Sequence, residues 1–132
     1  MPFGSYAYWG LNSQGQVVGD FLDLTSTRHG IFLDDKDKVT LIDWPKTTLT
    51  EARAINDQGI IVGIYLNVDD PHFGLHRSFV RDTKGNLTAF DFPEARETLV
   101  TGINHAGHII GRCERRKEKE IHGFLAIPKG KP

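Results

Sequence analysis

The feature that most constrains this chain is a segment written three times. Residues 54–65 read AINDQGIIVGIY, residues 10–21 read GLNSQGQVVGDF, and residues 102–113 read GINHAGHIIGRC. The shared core is an apolar residue, Asn, two variable residues, Gly, one more variable residue, two of Ile or Val, and Gly. Three copies in 132 residues dictate a repeat architecture, because one such unit cannot bury its apolar surface alone and must stack on its neighbours. The matching residues Asn12, Asn56 and Asn104 are 44 and 48 positions apart, the size of a four-stranded propeller blade.

Strand-length apolar runs separated by Asn, Asp, Gly and Pro, with no helical stripe and fourteen glycines, predict an all-β chain. In the first unit the spacing predicts strands over residues 5–11, 16–23, 28–33 and 38–43. The second unit repeats them over 51–55, 60–66, 76–81 and 86–91, and the third supplies only three, over 97–103, 107–112 and 122–127. Asn in the first place and Gly in the fourth, as in NSQG at 12–15, is the preference of a type I turn, so each repeated motif should fold back as a hairpin. Pro45 and Pro93 end the fourth strands, since proline cannot continue a ladder. The units therefore run over about 3–45, 46–93 and 94–132 of a single repeat domain.

Gly19, Gly63 and Gly111 sit inside strands, where glycine weakens the sheet unless something must come close. Room for sheet-on-sheet packing against Trp9, Phe32, Phe79, Phe90 and Phe124 is the expected reason.

Composition narrows the function. Hydrophobic residues make up 39% and the formal net charge is −1, so neither disorder nor a polyanion-binding surface is indicated, and no nucleic-acid partner is expected. Cys113 is the single cysteine and cannot form an internal disulfide; a buried, inert thiol is expected. No apolar run reaches membrane-span length, and MPFG at 1–4 has neither a basic region nor an apolar stretch after it, so a soluble chain without membrane contact is expected, its signal absent or removed.

Side chains that could carry chemistry are scattered. His29, His76 and His122 recur at the start of each third strand; three imidazoles on one axis could bind zinc, but separate blades hold them too far apart, and hydrogen bonding to the next blade is the simpler role. The links between second and third strands differ most, and loops on a rigid scaffold carry specificity. In the second unit this link is NVDDPHFG at 67–74, where Asn67, Asp69 and Asp70 could hold calcium but lack the regular spacing of an EF-hand loop, which favours a solvated turn. In the third, ERRKEKE at 114–120 is a charge run. Asp69, Asp70, His72, His76, Arg77, His29 and His122 are the candidate ligand-binding residues. No serine-nucleophile elbow, phosphate-binding loop or zinc-protease motif is present, so no cofactor, metal or catalytic residue is assigned.

The combination of INDQGIIVGIY at 55–65, HGFL at 122–125 and the Asp-x-Pro of Asp43-Trp44-Pro45 and Asp91-Phe92-Pro93 resembles the HAF-type bacterial repeat, described as a probable extracellular repeat. HGIF at 29–32 is a near match, and HRSF at 76–79 lacks the glycine. The resemblance covers nearly the whole chain and implies tandem repeats and a cell-surface location; it supplies no catalytic residues. Two architectures follow. Three propeller-like blades leave two apolar end faces, which two chains could cover by forming a six-bladed homodimeric ring. A β-trefoil or β-prism would instead close three units on themselves, and the chain could also be part of a longer protein. The functional expectation is a binding or assembly scaffold presenting rim loops to a small molecule, glycan or protein; the alternative is a small hydrolase or lyase using Asp69, Asp70, His72 and His76.

Overall fold

Eleven strands and no helix make up the described residues of the computed structural model, which are 5–66, 75–92, 95–115 and 120–128. The first sheet is a meander of β1 (Ser5–Leu11), β2 (Val17–Leu22), β3 (Arg28–Leu33) and β4 (Val39–Ile42). The second repeats it with β5 (Thr50–Ile55), β6 (Ile61–Leu66), β7 (His76–Arg81) and β8 (Leu87–Phe90). The third holds β9 (Ala95–Ile103), β10 (Ile109–Arg115) and β11 (Ile121–Ala126). Every neighbouring pair is antiparallel. The all-β class and the 4, 4, 3 strand count thus agree with the repeat pattern. The charge run differs from expectation at its start: Glu114 and Arg115 belong to β10, because Glu114 pairs with both Glu97 and Ile121. Residues 116–119 of that run lie outside the described residues.

One local device builds the hairpins. In the turn at 12–15, Gly15 N–H donates to the Asn12 carbonyl, Asn12 N–H donates to Gln16, and the Asn12 side-chain oxygen accepts from Gln14 and Gln16. Turns at 34–37, 56–59 and 82–85 repeat all of these bonds from Asp34, Asn56 and Asp82. The fourth residue takes a positive φ, at no steric cost where it is Gly15, Gly59, Gly85 or Gly107. Asp23 makes the same turn with Ser26 in the fourth place, φ 67°, in a stretch whose sequence reads only as a polar link.

The in-strand glycines have a different cause from the one their surroundings suggest. Each first strand carries a bulge, at Trp9, Arg53 and Thr101, where the register slips by one residue. The bulge drives a first-strand carbonyl toward the glycine: a Cβ on Gly19, Gly63 or Gly111 would stand 1.9, 2.1 or 2.3 Å from the oxygen of Ala7, Glu51 or Leu99. The rings of Phe79 and Phe124 crowd the latter two from the third strand of the same sheet. The close approach is therefore within a sheet, not between sheets.

Sheets stack face to face in chain order. Side chains of a strand alternate between its two faces. One face of the first sheet, with Val18, Ile42 and Phe32, packs on Ala52, Ile55, Ile61, Tyr65 and Phe79 of the second. The other face of the second, with Val62, Ile64, Val80 and Phe90, packs on Val100, Ile109 and Phe124 of the third. Each such buried Phe or Ile contributes about 1.5–3 kcal/mol by leaving water. The first strands of successive sheets lie side by side, β1 by β5 and β5 by β9, while no strand of the first sheet packs extensively on the third among the described residues. A three-fold monomer would need that last contact.

The links between units are stitched to the next sheet. Thr50 Oγ1 accepts from Trp44 N–H at 3.0 Å, and Thr98 Oγ1 accepts from Phe92 N–H at 3.4 Å. Trp44 lies flat on Tyr65 with ring centroids 4.1 Å apart, and Phe92 packs on Phe124 at 4.5 Å. At the turns, Asn12 Nδ2 donates to the Asn56 carbonyl at 3.0 Å and Asn56 Nδ2 donates to the Asn104 carbonyl at 3.0 Å. The repeated asparagine thus does two jobs: its oxygen closes its own turn, and its amide nitrogen ties that turn to the next unit.

This division of labour is separable by mutation. Asn56→Asp keeps the turn acceptor but replaces the donor by an oxygen facing the Asn104 carbonyl, and is expected to cost about 1–3 kcal/mol of unfolding free energy in urea titrations. Asn104→Asp, with no acceptor beyond it among the described residues, is expected to change the stability of a single chain at high dilution by less than about 0.5 kcal/mol.

Candidate functional site

The recurring histidines do not share one structural position. Strand register aligns Gly19 with Ile31, Gly63 with Phe79 and Gly111 with Phe124. Two residues earlier, the equivalent positions are His29, Arg77 and His122, and His76 falls one residue away, on the opposite face of its sheet. The extra residue comes from HRSF, which carries its Phe opposite Gly63 in the fourth place of the motif, whereas HGFL carries its Phe in the third. The arrangement of three histidines around one axis is thereby corrected.

Each of these residues is held by carboxylates or carbonyls of its own surroundings. His29 lies between Asp23 and Asp43, with Nε2 2.9 Å from Asp23 Oδ2 and Nδ1 2.7 Å from Asp43 Oδ1, and stacks on Phe21. Only the doubly protonated ring donates to both carboxylates. Partial burial opposes that charge, but the two carboxylates outweigh it and raise the His29 pKa above 6.5. The Thr25 hydroxyl, His29 and the Thr27 N–H hold Asp23 well below the ordinary carboxylate range. His76 Nδ1 and its N–H both approach Glu97 Oε2 at 3.0 Å. Arg77 donates to the Ala95 carbonyl at 3.1 Å, and its charge partly offsets the burial that raises Asp91. His122 Nε2 lies 3.6 Å from Glu120 Oε2. Asp69, Asp70 and His72 lie outside the described residues, as does Asn67. Among the described residues no three His, Cys, Asp or Glu side chains converge as metal ligands would. Cys113 is buried and free.

A second cluster, invisible as a motif, joins the first two units. Asp20 is fully buried; Trp9 Nε1–H donates to its Oδ2 at 2.5 Å and Arg28 Nη1 to its Oδ1 at 2.6 Å. Arg28 Nε also reaches Glu51 Oε2 at 3.7 Å, Glu51 pairs with Arg53, and the Arg53 guanidinium lies 4.5 Å from the centre of the Trp9 ring. Two carboxylates with two guanidiniums are charge-balanced, which makes them an ionic weld between β2, β3 and β5, not a proton-transfer pair.

The open concavity lies elsewhere. A groove of about 410 Å³ runs along the rim between the first two units, lined by Gln14, Gln16, Asp35, Asp57, Gln58, Arg81 and Thr83 with Phe32 among them. This rim carries the turns joining first to second and third to fourth strands of the first two units. Its geometry is fixed by bonds across the units, Ser13 N–H donating to Asp57 Oδ1 at 2.8 Å and Gln14 Nε2 to the Asp57 carbonyl at 2.9 Å, and by one within the first turn, Asn12 Nδ2 to Gln16 Oε1 at 2.6 Å. The Ser13 bonds depress the Asp57 pKa, so its carboxylate is ionised at neutral pH. Arg81 sits 5.8 Å from the centre of the Phe32 ring. In the sequence these residues read as turn chemistry alone; the signal that could have singled them out is the cluster of glutamines at 14, 16 and 58, all inside repeat motifs.

No family matches the chain, and no curated protein resembles it.

Two measurements check these assignments. Arg28→Ala leaves Asp20 buried without its cation and is expected to cost about 3–5 kcal/mol in chemical unfolding, with Asp20→Asn in the same chain recovering a substantial part. Because the folded-state pKa of His29 is raised, its contribution is fully present below pH 6.5 and is lost as pH rises through the folded value. Asp23 works in the opposite sense, contributing above its ordinary 3.8 and failing only in strong acid. Thermal unfolding should therefore show His29→Gln destabilised relative to the parent at about pH 5 and nearly matched to it at about pH 9.

Proposed function

We propose that the chain is a non-catalytic binding scaffold, a propeller-like stack of HAF-type repeats whose rim groove between the first two units receives a hydroxyl-rich ligand of the carbohydrate class. The observation that carries the reading is the composition of the groove. Its volume falls in the range of small-molecule sites, yet its lining is amide, carboxylate and guanidinium around one aromatic ring. Amides offer a donor and an acceptor side by side, and ionised carboxylates accept only, which suits sugar hydroxyls that donate and accept from one atom. Asp35 and Asp57 outnumber Arg81, which disfavours phosphate and other anions, and Phe32 alone is too little apolar surface for a lipid.

The radial reading is supported by the side-by-side first strands and by the turn-to-turn asparagine bonds, which repeat with one geometry from unit to unit. The non-catalytic reading is supported by the engagement of His29, His76, Asp20 and Glu51 with structural partners. A surface location follows from the repeat resemblance and belongs to the same proposal. The membrane question has one structural fact: no helix among the described residues is long and apolar enough to cross.

Titration of the ¹⁵N-labelled protein with a panel of neutral oligosaccharides tests the reading. Saturable amide shifts are expected at Gln14, Gln58 and Gly59, and Arg81→Ala or Asp57→Asn should weaken binding by about tenfold each, the worth of one hydrogen bond to a charged group. Saturable shifts confined to another surface, or binding that Arg81→Ala leaves unchanged, would refute it.

A further inference from the structure

The two end faces of the stack are open copies of surfaces that are buried inside it. Position by position, the residue before the in-strand glycine is Val18, Val62 and Ile110 in the three units. Val18 and Val62 are 0% exposed because the next sheet covers them, whereas Ile110 is 51% exposed. On the opposite face the bulge-flanking residue is Tyr8, Ala52 and Val100; the second and third are 0% and 1% exposed under the preceding sheet, and Tyr8 is 51% exposed. Leu125, Ile121 and Ile127 extend the open face of the third sheet, and Leu11, 68% exposed where its counterpart Ile55 is 6%, extends that of the first. Patches of this kind on a soluble surface mark interaction sites.

The shapes are complementary as well. A shallow concavity of about 370 Å³ on the first sheet is lined by Tyr8, Trp9, Gly10, Leu11 and Val17. Tyr8, Leu11 and Val17 occupy the positions of Ala52, Ile55 and Ile61, the surface on which Val18 of the preceding unit rests inside the chain. The asparagine ladder points the same way. Asn12 Nδ2 donates to Asn56 and Asn56 Nδ2 to Asn104, which leaves Asn104 with an amide donor that has no such acceptor among the described residues, and the Asn12 carbonyl with only its own turn's Gly15 N–H.

We propose that a second copy of this chain docks head to tail on these faces, Ile110 and Leu125 of each copy seating in the Tyr8, Leu11 and Val17 concavity of the other, with the Asn104 amide of each donating to the Asn12 carbonyl of the other. Two such contacts related by a two-fold axis close a ring of six sheets. The contact is heterologous, so the same pairing without closure would give a filament; the radial arrangement set out above supplies the closure, and the proposal rests on it but not on the groove's ligand.

Light scattering on the purified chain, with variants that touch only exposed positions, tests this. The parent is expected at twice the mass of one chain. Leu11→Arg and Ile110→Asp should each give monomers with unchanged circular dichroism, and mixing the two should restore a dimer, because one retains a sound third-sheet face and the other a sound first-sheet face. A parent that stays monomeric at high micromolar concentration, a filament, or one variant that remains dimeric alone as a same-face contact requires, would each overturn the proposal. A monomeric parent that still shows the oligosaccharide shifts would refute the self-association while leaving the binding reading standing.

Discussion

The structure depends on sheets that are apolar on both faces. Val18 points one way from β2 and Val17 the other, and the second sheet buries Ile61 and Val62 on opposite sides with neither touching water. A sheet of this kind gains most of its stability from neighbours, so stacking is a condition of folding and not an elaboration of it. Everything else follows the stack: bulges that let first strands run beside one another, glycines that admit the bulged carbonyls, and links that seat Trp44 and Phe92 on the next unit.

Polar groups specify how the sheets meet. An apolar face would tolerate sliding, whereas the Asn12 and Asn56 amides fix each turn against the next within hydrogen-bond tolerance. Asp20, Arg28, Glu51, Arg53 and Trp9 act likewise across the first contact. The second contact is fastened differently, since Ile64 replaces Asp20 at the matching position; there the Ser78 hydroxyl bridges strands, donating to the Thr98 carbonyl and accepting from Val100 N–H, and His76 meets Glu97. The two contacts are alike in their apolar core and differ in their polar fastening.

The strands were legible because each hairpin is announced locally. An Asx residue, two positions and a glycine form a turn through bonds among neighbours, so spacing alone locates the turn, and the strands on either side follow within three residues. Where the fourth residue is Ser26 the announcement is missing, and the stretch looks like a plain polar link. The site was less legible. His29, His76 and His122 share a sequence context but not a register, because the strand that carries His76 is offset by one residue against Gly63, and a one-residue slip exchanges the two faces of a strand. The groove residues lie on and beside four separate turns, brought together by the bonds of Ser13 and Gln14 to Asp57 and by the seating of Arg81 near Phe32.

By itself the sequence determined the unit, its number, its all-β class and the 4, 4, 3 strand count of the described residues, since these depend on turn chemistry and strand alternation that act over a few residues. Tertiary structure decided which face each histidine occupies, why the in-strand glycines are needed, how Asp20 is neutralised and where an open groove lies. Those outcomes are set by bulges, by register and by contacts between residues more than forty positions apart, such as Asn12 with Asn56, and no local pattern encodes them.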